Sequence, residues 1–445
     1  MMSLETLLEQ ISTVVWGPAT LTLLLGVGIY LSVGLKAVPQ RNIKRAFLLL
    51  GSKSPQQEPG EITPFQALMT SLSATIGTGN IAGVATAIFL GGPGAVFWMW
   101  VTAFLGLATK YTEAVLAVQF RQTNSHGQYF GGPMYYIKNG LNRRWHWLGW
   151  AFALFGMLAA FGIGNMVQAN SVANAVLESF HIPVWGTALL LTIMAGSVIL
   201  GGLPQLAKVT ATLVPLMAIA YLGSTLFIIF SHLDQLTNSL TLIFTHAFNG
   251  TAATGGFAGA TLSAAIRFGI ARGVFSNEAG LGSSPIAHAA AKTNNPVQQG
   301  LIAMLGTFID TLIICTLTAL VIIMTGAWES GANGAVLTTL AFNTGLPGIG
   351  GTIVAIGLSV FAFTTLLGWS YYGECCAVFI FGMRAIVPYR LLWLLAIPMG
   401  ATGQLTFIWL LADIMNALMA LPNLIALILL SPLVFKHTRT YFAKK

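Results

Sequence analysis

The chain has 445 residues, of which 56% are hydrophobic and only 7% are Asp, Glu, Lys or Arg, and its formal net charge is +8. Ordinary soluble domains carry about 25% charged residues, so this chain has too few polar groups to cover a water-facing surface. A soluble globular protein is excluded, and so is a disordered chain, because disorder requires low hydrophobicity. The composition predicts a polytopic membrane protein whose apolar side chains face lipid.

About eleven apolar stretches follow one another along the chain. Each is long enough to be a transmembrane helix, because about 20 mostly apolar residues cross the hydrocarbon core of a bilayer. The sequence lacks the short alternating segments of a membrane β-barrel, so we expect an all-α fold. The predicted spans cover approximately residues 14–35, 64–90, 94–119, 147–170, 184–202, 206–230, 256–290, 297–326, 350–381, 388–410 and 411–435.

The positions of Lys and Arg predict the orientation of these spans. With the N-terminus outside, 17 of the 20 Lys and Arg residues fall in inner loops and the C-terminal tail, and the other three, Lys110, Arg267 and Arg272, fall within spans. Cytoplasmic loops carry such an excess of Lys and Arg. We therefore expect a multi-pass protein of the cell (inner or plasma) membrane with its N-terminus outside and its C-terminus cytoplasmic. No Lys or Arg precedes the first span, so a retained helix is favoured over a cleaved signal peptide.

Two of the stretches are interrupted by polar, glycine-rich runs. The second contains SATIGTGN at residues 73–80, and the seventh contains GVFSNEAGLGSS at residues 273–284. Glycine weakens a helix by about 1 kcal/mol per residue, and unwound backbone at membrane depth occurs only where it is buried in protein or lines a cavity. Close helix packing through small residues is the alternative interpretation of each run. Two runs at matching positions favour discontinuous helices with a substrate site between them.

The two runs lie five spans apart, so the two broken helices cross the membrane in opposite directions. This is the arrangement of an inverted repeat of five helices. The sequence therefore predicts four parts. Residues 1–62 form an outer N-terminal segment, one extra transmembrane helix and a basic inner loop, and residues 63–231 form the first five-helix repeat with a broken first helix. Residues 232–255 form an outer loop, and residues 256–445 form the second, inverted five-helix repeat with a broken first helix and a basic inner tail.

Three segments resemble the alanine or glycine:cation symporter family, the sodium:alanine symporters of bacteria and archaea. They are PFQAL at 64–68 with SATIGTGNIAG at 73–83, GQYFGGPM at 127–134, and SNEAGLGSSP at 276–285. That family belongs to the amino acid–polyamine–organocation superfamily and has the LeuT-type fold. The resemblance implies sodium-coupled symport of small neutral amino acids (alanine and glycine) into the cell by alternating access. A proton-coupled symporter, or one that prefers another neutral amino acid such as serine or glutamine, is the alternative.

A zwitterionic amino acid needs donors for its carboxylate and acceptors for its ammonium group. The free N–H and C=O groups at the ends of a broken helix supply both. We predict that the amides of Thr78 and Gly79, with the Thr78 hydroxyl, bind the carboxylate, and that the backbone carbonyls of Phe275, Ser276 and Asn277 accept from the ammonium. Alternatively, Thr78 only bonds the backbone of its own helix. The other predicted substrate contacts are Asn80, Gln168 and Trp369.

Polar amides and aromatic rings near the two runs are further candidates for the binding pocket. Gln168 and Asn170 must face the interior of the bundle, because an unpaired amide in hydrocarbon is costly. The family resemblance favours Gln168 as a ligand contact, whereas simple hydrogen bonding between helices is the alternative for both. Phe275 and Trp369 are candidates to close the pocket over a methyl-sized side chain, although a single aromatic residue is more often part of the core.

The LeuT-type fold implied by the resemblance places one sodium ion between the first broken helix and the eighth core helix. In this sequence the implied ligands are carbonyls near Ser73 and Ile76 and the hydroxyls of Thr364 and Thr365. Neutral oxygens suffice for a hard monovalent cation. Hydrogen bonding of both threonines within their own helix is the alternative. Na⁺ is the expected coupling ion, Asn80 is a further candidate for ion or substrate, and no covalent cofactor is expected.

Charged residues within the spans need partners or functions, because a charge in a bilayer is expensive. Lys110 and Glu113 are three residues apart on one helix, and we expect them to neutralise each other. Glu278 lies inside the second run, where we expect it to hold the unwound segment or to pair with a basic residue. Arg267 and Arg272 are candidates for an outer vestibule or a gate. The sequence leaves open the roles of Asp310 and Glu374.

Other functional classes find no support in the sequence. GTGNIA at residues 77–82 fits a loose dinucleotide-binding pattern, but it lies in an apolar helix and not after a strand. No HExxH, Walker A or GxSxG motif is present, so we expect no enzyme. A channel would repeat a filter or a ring of charges, whereas here two non-identical runs oppose each other. The expected partners are a small neutral amino acid, Na⁺ and the lipid bilayer, without nucleic acid or an obligatory protein partner.

Overall fold

A computed structural model of the protein describes residues 4–51, 58–124, 127–252, 254–403 and 406–443. Lys53, Lys444 and Lys445, which belong to the predicted inner cations, lie outside these ranges. The described chain is almost entirely helical. Two short strands, β1 (Gln122–Thr123) and β2 (Tyr129–Phe130), pair antiparallel in the loop after the third predicted span.

The first part of the chain, up to residue 231, forms twelve α-helices, two π-helices and one 3₁₀ turn. The π-helices are single wide turns, which are frequent at functional sites. The α-helices are α1 (Leu4–Val15), α2 (Pro18–Gly34), α3 (Val38–Arg41), α4 (Ile43–Leu50), α5 (Pro64–Thr75), α6 (Val84–Gly91), α7 (Ala95–Gln119), α8 (Pro133–Gly140), α9 (His146–Ala159), α10 (Val167–Phe180), α11 (Val184–Ile199) and α12 (Gly202–Ser231), with π-helices at Gly79–Gly83 and Ala160–Met166 and the 3₁₀ turn at Arg143–Trp145.

The remaining chain forms nine α-helices, one π-helix and three 3₁₀ turns. They are α13 (Leu236–Asn249), α14 (Leu262–Asn277), α15 (Pro285–Ala289), α16 (Pro296–Thr307), α17 (Thr316–Met324), α18 (Gly334–Gly345), α19 (Gly350–Phe381), α20 (Ile386–Thr402) and α21 (Thr406–Ala443), with the π-helix at Phe308–Cys315 and the 3₁₀ turns at Leu233–Gln235, Ala327–Ser330 and Met383–Ala385.

Eight helices of the described residues are long and apolar enough to cross a membrane. The bent pair Pro64–Thr75 and Gly79–Gly91 adds a ninth span, with a bend of 54° between its halves. The fifth predicted span corresponds to the shorter apolar helix α11 (Val184–Ile199). The seventh corresponds to α14 and α15, which are separated by a non-helical segment. The polytopic helical architecture predicted from the sequence is therefore confirmed.

Three boundaries differ from the predictions, each for a local reason. Residues 232–255, predicted as an outer loop, contain α13, a short helix that buries Ser239, Ile243 and Ala247 on one face. The seventh span begins at Leu262 and not at residue 256, because the Thr261 hydroxyl accepts a hydrogen bond from Ala264 N and caps the helix there. The last two spans separate after Thr402 and not at residue 410, since Gly403 is extended.

The two interrupted helices meet at their breaks. A Cβ atom added to Gly79, at the restart of the first interrupted helix, would lie 3.4 Å from Phe275 Cδ1 and 3.5 Å from Ser276 Cα, both in the last turn of α14. These distances are ordinary van der Waals contacts, so the first break and the last turn of α14 are direct neighbours at Gly79. The fold therefore brings the start of the π-helix Gly79–Gly83 and the end of α14 together in the buried interior of the bundle.

Candidate functional site

The first break separates α5 from the π-helix that begins at Gly79. Ile76 has extended backbone angles (φ −76°, ψ 96°), which end α5. The N–H of Gly77 donates to Asn80 Oδ1 at 2.9 Å and fixes the following turn. The first N–H groups of a helix and its last C=O groups have no partner within that helix. The break therefore presents donors at Thr78 and Gly79 and acceptors at the end of α5.

The second break, between α14 and α15, is longer and consists of left-handed turns. Glu278, Gly280 and Gly282 have φ values of 56°, 93° and 81°. The Ser283 hydroxyl donates to Glu278 Oε2 at 2.5 Å, so this carboxylate ties the two ends of the segment together. This contact agrees with the first of the two predicted roles of Glu278, to hold the unwound segment.

A second buried carboxylate supports the same segment from α7. Glu113 Oε1 accepts from Gly280 N at 3.1 Å and from Asn423 Nδ2 at 2.7 Å. Lys110 is fully buried, and its Nζ has no hydrogen-bond partner among the described residues. No contact of ion-pair length joins Lys110 to Glu113 among the described residues, and the expectation that the two charges neutralise each other stays a prediction. Although the two residues share a face of α7, the Glu113 carboxylate is turned to the polar groups of the second break.

A narrow cavity lies between the two breaks. Its volume is about 10 Å³, which is room for about one water molecule. Five of the predicted substrate residues line it: Thr78, Gly79, Gln168, Phe275 and Trp369. The wall also contains eight residues that the sequence did not single out as substrate contacts: Ala74, Thr75, Gly77, Ile163, Glu278, Leu281, Thr365 and Asn416.

Three predicted substrate residues direct their side chains elsewhere. Asn80 Nδ2 donates to Asp310 Oδ1 at 2.6 Å, and the Ser276 hydroxyl donates to Asp310 Oδ2 at 2.8 Å. Asn277 Nδ2 donates to Thr311 Oγ1 at 3.2 Å. None of these side chains lines the cavity. Both breaks are thus tied to the π-helix Phe308–Cys315 through the fully buried Asp310, whose role the sequence had left open.

The oxygens predicted as sodium ligands are brought together only in part. The Thr365 hydroxyl lies 3.2 Å from the Ile76 carbonyl oxygen in the first break and 3.0 Å from the Phe361 carbonyl oxygen. The Thr364 hydroxyl lies 2.9 Å from the same Phe361 oxygen but is turned to α12, where it contacts Met217 Sδ at 3.5 Å. The Ser73 hydroxyl donates to Thr70 O at 2.8 Å within its own helix. Both threonine hydroxyls thus bond the Phe361 carbonyl of their own helix, which is the alternative given above, and only the Thr365 hydroxyl also reaches the first break. The ion site stays a prediction.

The remaining charged candidates lie away from the cavity. Arg272, Arg267 and Asp413 line a separate space of about 100 Å³ whose wall includes Phe275, and the Arg272 guanidinium lies 5.7 Å from the centre of that ring. The roles of the two other polar residues are structural: Glu374 forms a bidentate ion pair with Arg390 (2.5 and 2.9 Å), and Asn170 donates to carbonyls at the end of α20.

Ile163, Leu281 and Asn416 are cavity residues that sequence reasoning missed. Ile163 and Leu281 are indistinguishable from other apolar residues of the spans. Asn416 carried a usable signal, because an amide within the apolar stretch 411–435 requires a polar partner or a function.

The chain is similar to known proteins over most or all of its length. The sequence model described as "Sodium:alanine symporter family" matches residues 1–445. The chain is 48% identical to "Sodium/alanine symporter AgcS" of Methanococcus maripaludis, over 99% of this chain and 98% of that protein. It is 38% identical to "Probable sodium/glutamine symporter GlnT" of Bacillus subtilis, over 99% and 91%. The crystal structure of MhsT in complex with L-phenylalanine superposes with a TM-score of 0.60 at 13% identity, covering 85% of this chain and 90% of that one. This likeness confirms the predicted LeuT-type fold.

Proposed function

The chain belongs to the sodium:alanine symporter family, and from this premise we propose that it carries small neutral amino acids, alanine and glycine, into the cell together with Na⁺. Membership establishes a multi-pass membrane transporter for amino acids coupled to a cation, and not an enzyme. The observation that carries the finer proposal is the cavity, because both breaks present backbone groups around a space of small size.

The ends of the broken helices complement a zwitterion. In the proposal, the N–H groups of Thr78 and Gly79 and the Thr78 hydroxyl bind the substrate carboxylate, since the start of a helix carries a positive partial charge. The last carbonyls of α14, at Phe275, Ser276 and Asn277, are the proposed acceptors for the ammonium, since the end of a helix carries a negative partial charge and Phe275 lines the cavity. A substrate lying between them satisfies both sets of backbone groups at once.

The cavity wall favours a small side chain. Ile163, Leu281, Phe275 and Trp369 contribute apolar groups to it, and the present volume is about 10 Å³. Binding of any amino acid requires these side chains to move apart, and the cost of that movement rises with the volume admitted, because packed interiors resist expansion. Alanine and glycine therefore fit this site at the lowest cost.

Sodium binding at the first break explains coupling. Ile76 O and the Thr365 hydroxyl, with oxygens near Ser73, Phe361 and Thr364, form the proposed ion site. Ile76 directly precedes the segment of Gly77, Thr78 and Gly79 that faces the substrate. An ion that fixes the Ile76 carbonyl therefore also fixes the amides that bind the carboxylate. The stabilisation is reciprocal, so the amino acid must also raise the affinity for the ion.

Transport is proposed to proceed by alternating access around this site. The two moving units are the predicted repeats, residues 63–231 and 256–445, and the extra helix precedes them. The N-terminus lies outside the cell and the C-terminus in the cytoplasm, as the distribution of Lys and Arg predicts. In this orientation Arg267 and Arg272 lie on the outer side of Phe275.

Uptake of labelled alanine into proteoliposomes tests the proposal. An inward sodium gradient should drive accumulation above equilibrium, and a proton gradient of equal size should not. Accumulation driven only by protons would replace sodium with proton coupling, and faster accumulation of serine or glutamine would change the substrate. Counterflow of labelled alanine distinguishes a carrier, which shows it, from a channel, which does not.

A further inference from the structure

Asn416 is a buried amide at the central cavity whose side-chain oxygen has no hydrogen-bond partner among the described residues. It lies on α21, is 1% exposed and lines the cavity between the breaks. A buried acceptor without a partner is destabilising, so an amide at this position is explained if a ligand supplies the missing donor.

Asn423, two turns further along α21, provides the contrast. Residues seven apart lie on nearly the same face of a helix. The Asn423 amide is fully used, because its Nδ2 donates to Glu113 Oε1 and to Gly280 O at 2.7 and 2.8 Å, and its Oδ1 accepts from Tyr136. Asn423 therefore joins α21 to the second break, whereas Asn416 lines the cavity and its Oδ1 has no partner among the described residues.

A second acceptor without a partner faces the same cavity. Gln168 Nε2 donates to the Ile163 carbonyl at 2.9 Å and lies 3.3 Å from Thr78 Oγ1. Since a carbonyl can only accept, this contact fixes the orientation of the amide and leaves Gln168 Oε1 as the free acceptor. Glu278 adds a carboxylate to the wall. The polar side chains of this part of the cavity thus favour a cationic donor with several N–H bonds.

We propose that Asn416 is a specificity-determining residue whose Oδ1, together with Gln168 Oε1, accepts two of the three N–H bonds of the substrate ammonium group. The third is left for a carbonyl at the end of α14. This inference rests on the proposed amino acid transport. It adds that the site binds amino acids with a primary amino group more tightly than N-alkylated ones. The reason is that an N-methyl group replaces one of the three N–H donors.

Competition binding with N-methylalanine tests this assignment. Labelled alanine would be bound to the purified full-length protein in a buffer that contains Na⁺. Unlabelled alanine or N-methylalanine would then be added to displace it. The wild type should bind alanine about tenfold or more better than N-methylalanine, because a hydrogen bond to a charged group is lost. In Asn416→Leu, which has a similar volume but no acceptor, this ratio should fall to about twofold. Asn416→Asp keeps an oxygen and should retain the ratio.

Asn165→Leu is the matched control. Asn165 is also fully buried with an unpartnered Oδ1, but it does not line the cavity, so its substitution should leave the ratio unchanged. If Asn416→Leu does not reach the membrane, Asn416→Ala takes its place with the same expectation. If the Asn416→Leu or Asn416→Ala variant binds alanine and keeps the wild-type ratio, the role of Asn416 is overturned and the proposed function is not affected. If the wild type binds no alanine, both the proposed function and the role of Asn416 are overturned.

Discussion

The two helix breaks of this protein are alike in composition but are held in different ways. In the first break, the backbone is fixed by three contacts: from Gly77 N to Asn80 Oδ1, from Asn80 N to Gly77 O, and from the Thr365 hydroxyl to the Ile76 carbonyl. Most of the backbone groups that face the cavity there are left to ligands in our proposal. The first break is therefore the part of the site whose structure depends on what is bound.

The second break is held by side chains from two other helices and by one contact within the segment. Glu113 on α7 and Asn423 on α21 bond Gly280, and Ser283 bonds Glu278 within the segment. Its backbone also occupies left-handed conformations that only this set of contacts and its glycines permit. We infer that the second break is a rigid wall against which the first break closes. Substitutions in the first should alter ligand binding, and substitutions around the second should alter stability.

Gly79→Val should have the largest effect. The added Cβ would lie 3.4 Å from Phe275 Cδ1, and its methyl groups would occupy the space where the substrate carboxylate approaches the backbone. We expect alanine uptake to be abolished while the protein still inserts, measured by uptake and by the amount in the membrane. Gly83→Val is the control, since the nearest atom to a Cβ there is Thr78 O at 4.0 Å. Near-normal uptake by inserted Gly79→Val would mean that the first break only packs helices.

Thr365→Ala should have the second largest effect, which is on the sodium dependence of uptake. Removal of one ion ligand costs about 1–3 kcal/mol, so the half-saturating sodium concentration for uptake should rise roughly ten- to hundredfold. Thr365→Ser keeps the oxygen and should resemble the wild type. Thr364→Ala should have the smaller effect of the two alanine variants, because the Thr364 hydroxyl is turned to Met217. An unchanged sodium curve in Thr365→Ala would place the ion elsewhere.

Asn423→Leu should act on stability and not on ligand binding. It leaves the Glu113 carboxylate and the Gly280 carbonyl without a shared donor in a buried site, which should lower the free energy of unfolding by about 3–5 kcal/mol. Denaturation in detergent measures this change. Asn174→Leu, at an exposed position of α10, should stay within about 0.5 kcal/mol of the wild type. A stable Asn423→Leu protein would show that the second break is held by other contacts.

Ser283→Ala should give the smallest effect, because it removes one hydrogen bond to Glu278 and leaves the other contacts of the second break intact. The expected loss of stability is about 1.5 kcal/mol, with sodium activation of uptake unchanged. A shifted sodium curve in this variant would contradict the division of roles, since it would connect the second break directly to the ion.

The sequence predicted the features that depend on composition along the chain. Apolar length gave the spans, and clustered Gly, Ser and Asn gave both breaks, because these residues destabilise helices wherever they occur. Helix α13 was missed because, at 14 residues with polar and apolar side chains interspersed, it is too short and too polar to be recognised as a membrane span.

Side-chain direction within the breaks was the part that the sequence could not supply. Periodicity predicts which residues share a face of a regular helix, but unwound backbone has no fixed period. Asn80 was therefore a candidate for substrate or ion, whereas the structure directs its side chain to Asp310. Asn416 was missed because its approach to the cavity depends on how α21 packs against the two breaks.

Linkage between sodium and alanine in equilibrium binding tests the central claim most directly. Binding of labelled alanine to the purified protein would be measured over a range of sodium concentrations at constant ionic strength, in the wild type and in Thr365→Ala. Our account predicts that sodium raises the alanine affinity of the wild type, and that Thr365→Ala needs roughly ten- to hundredfold more sodium for the same increase. An alanine affinity that does not change with sodium in the wild type would contradict coupling through the first break.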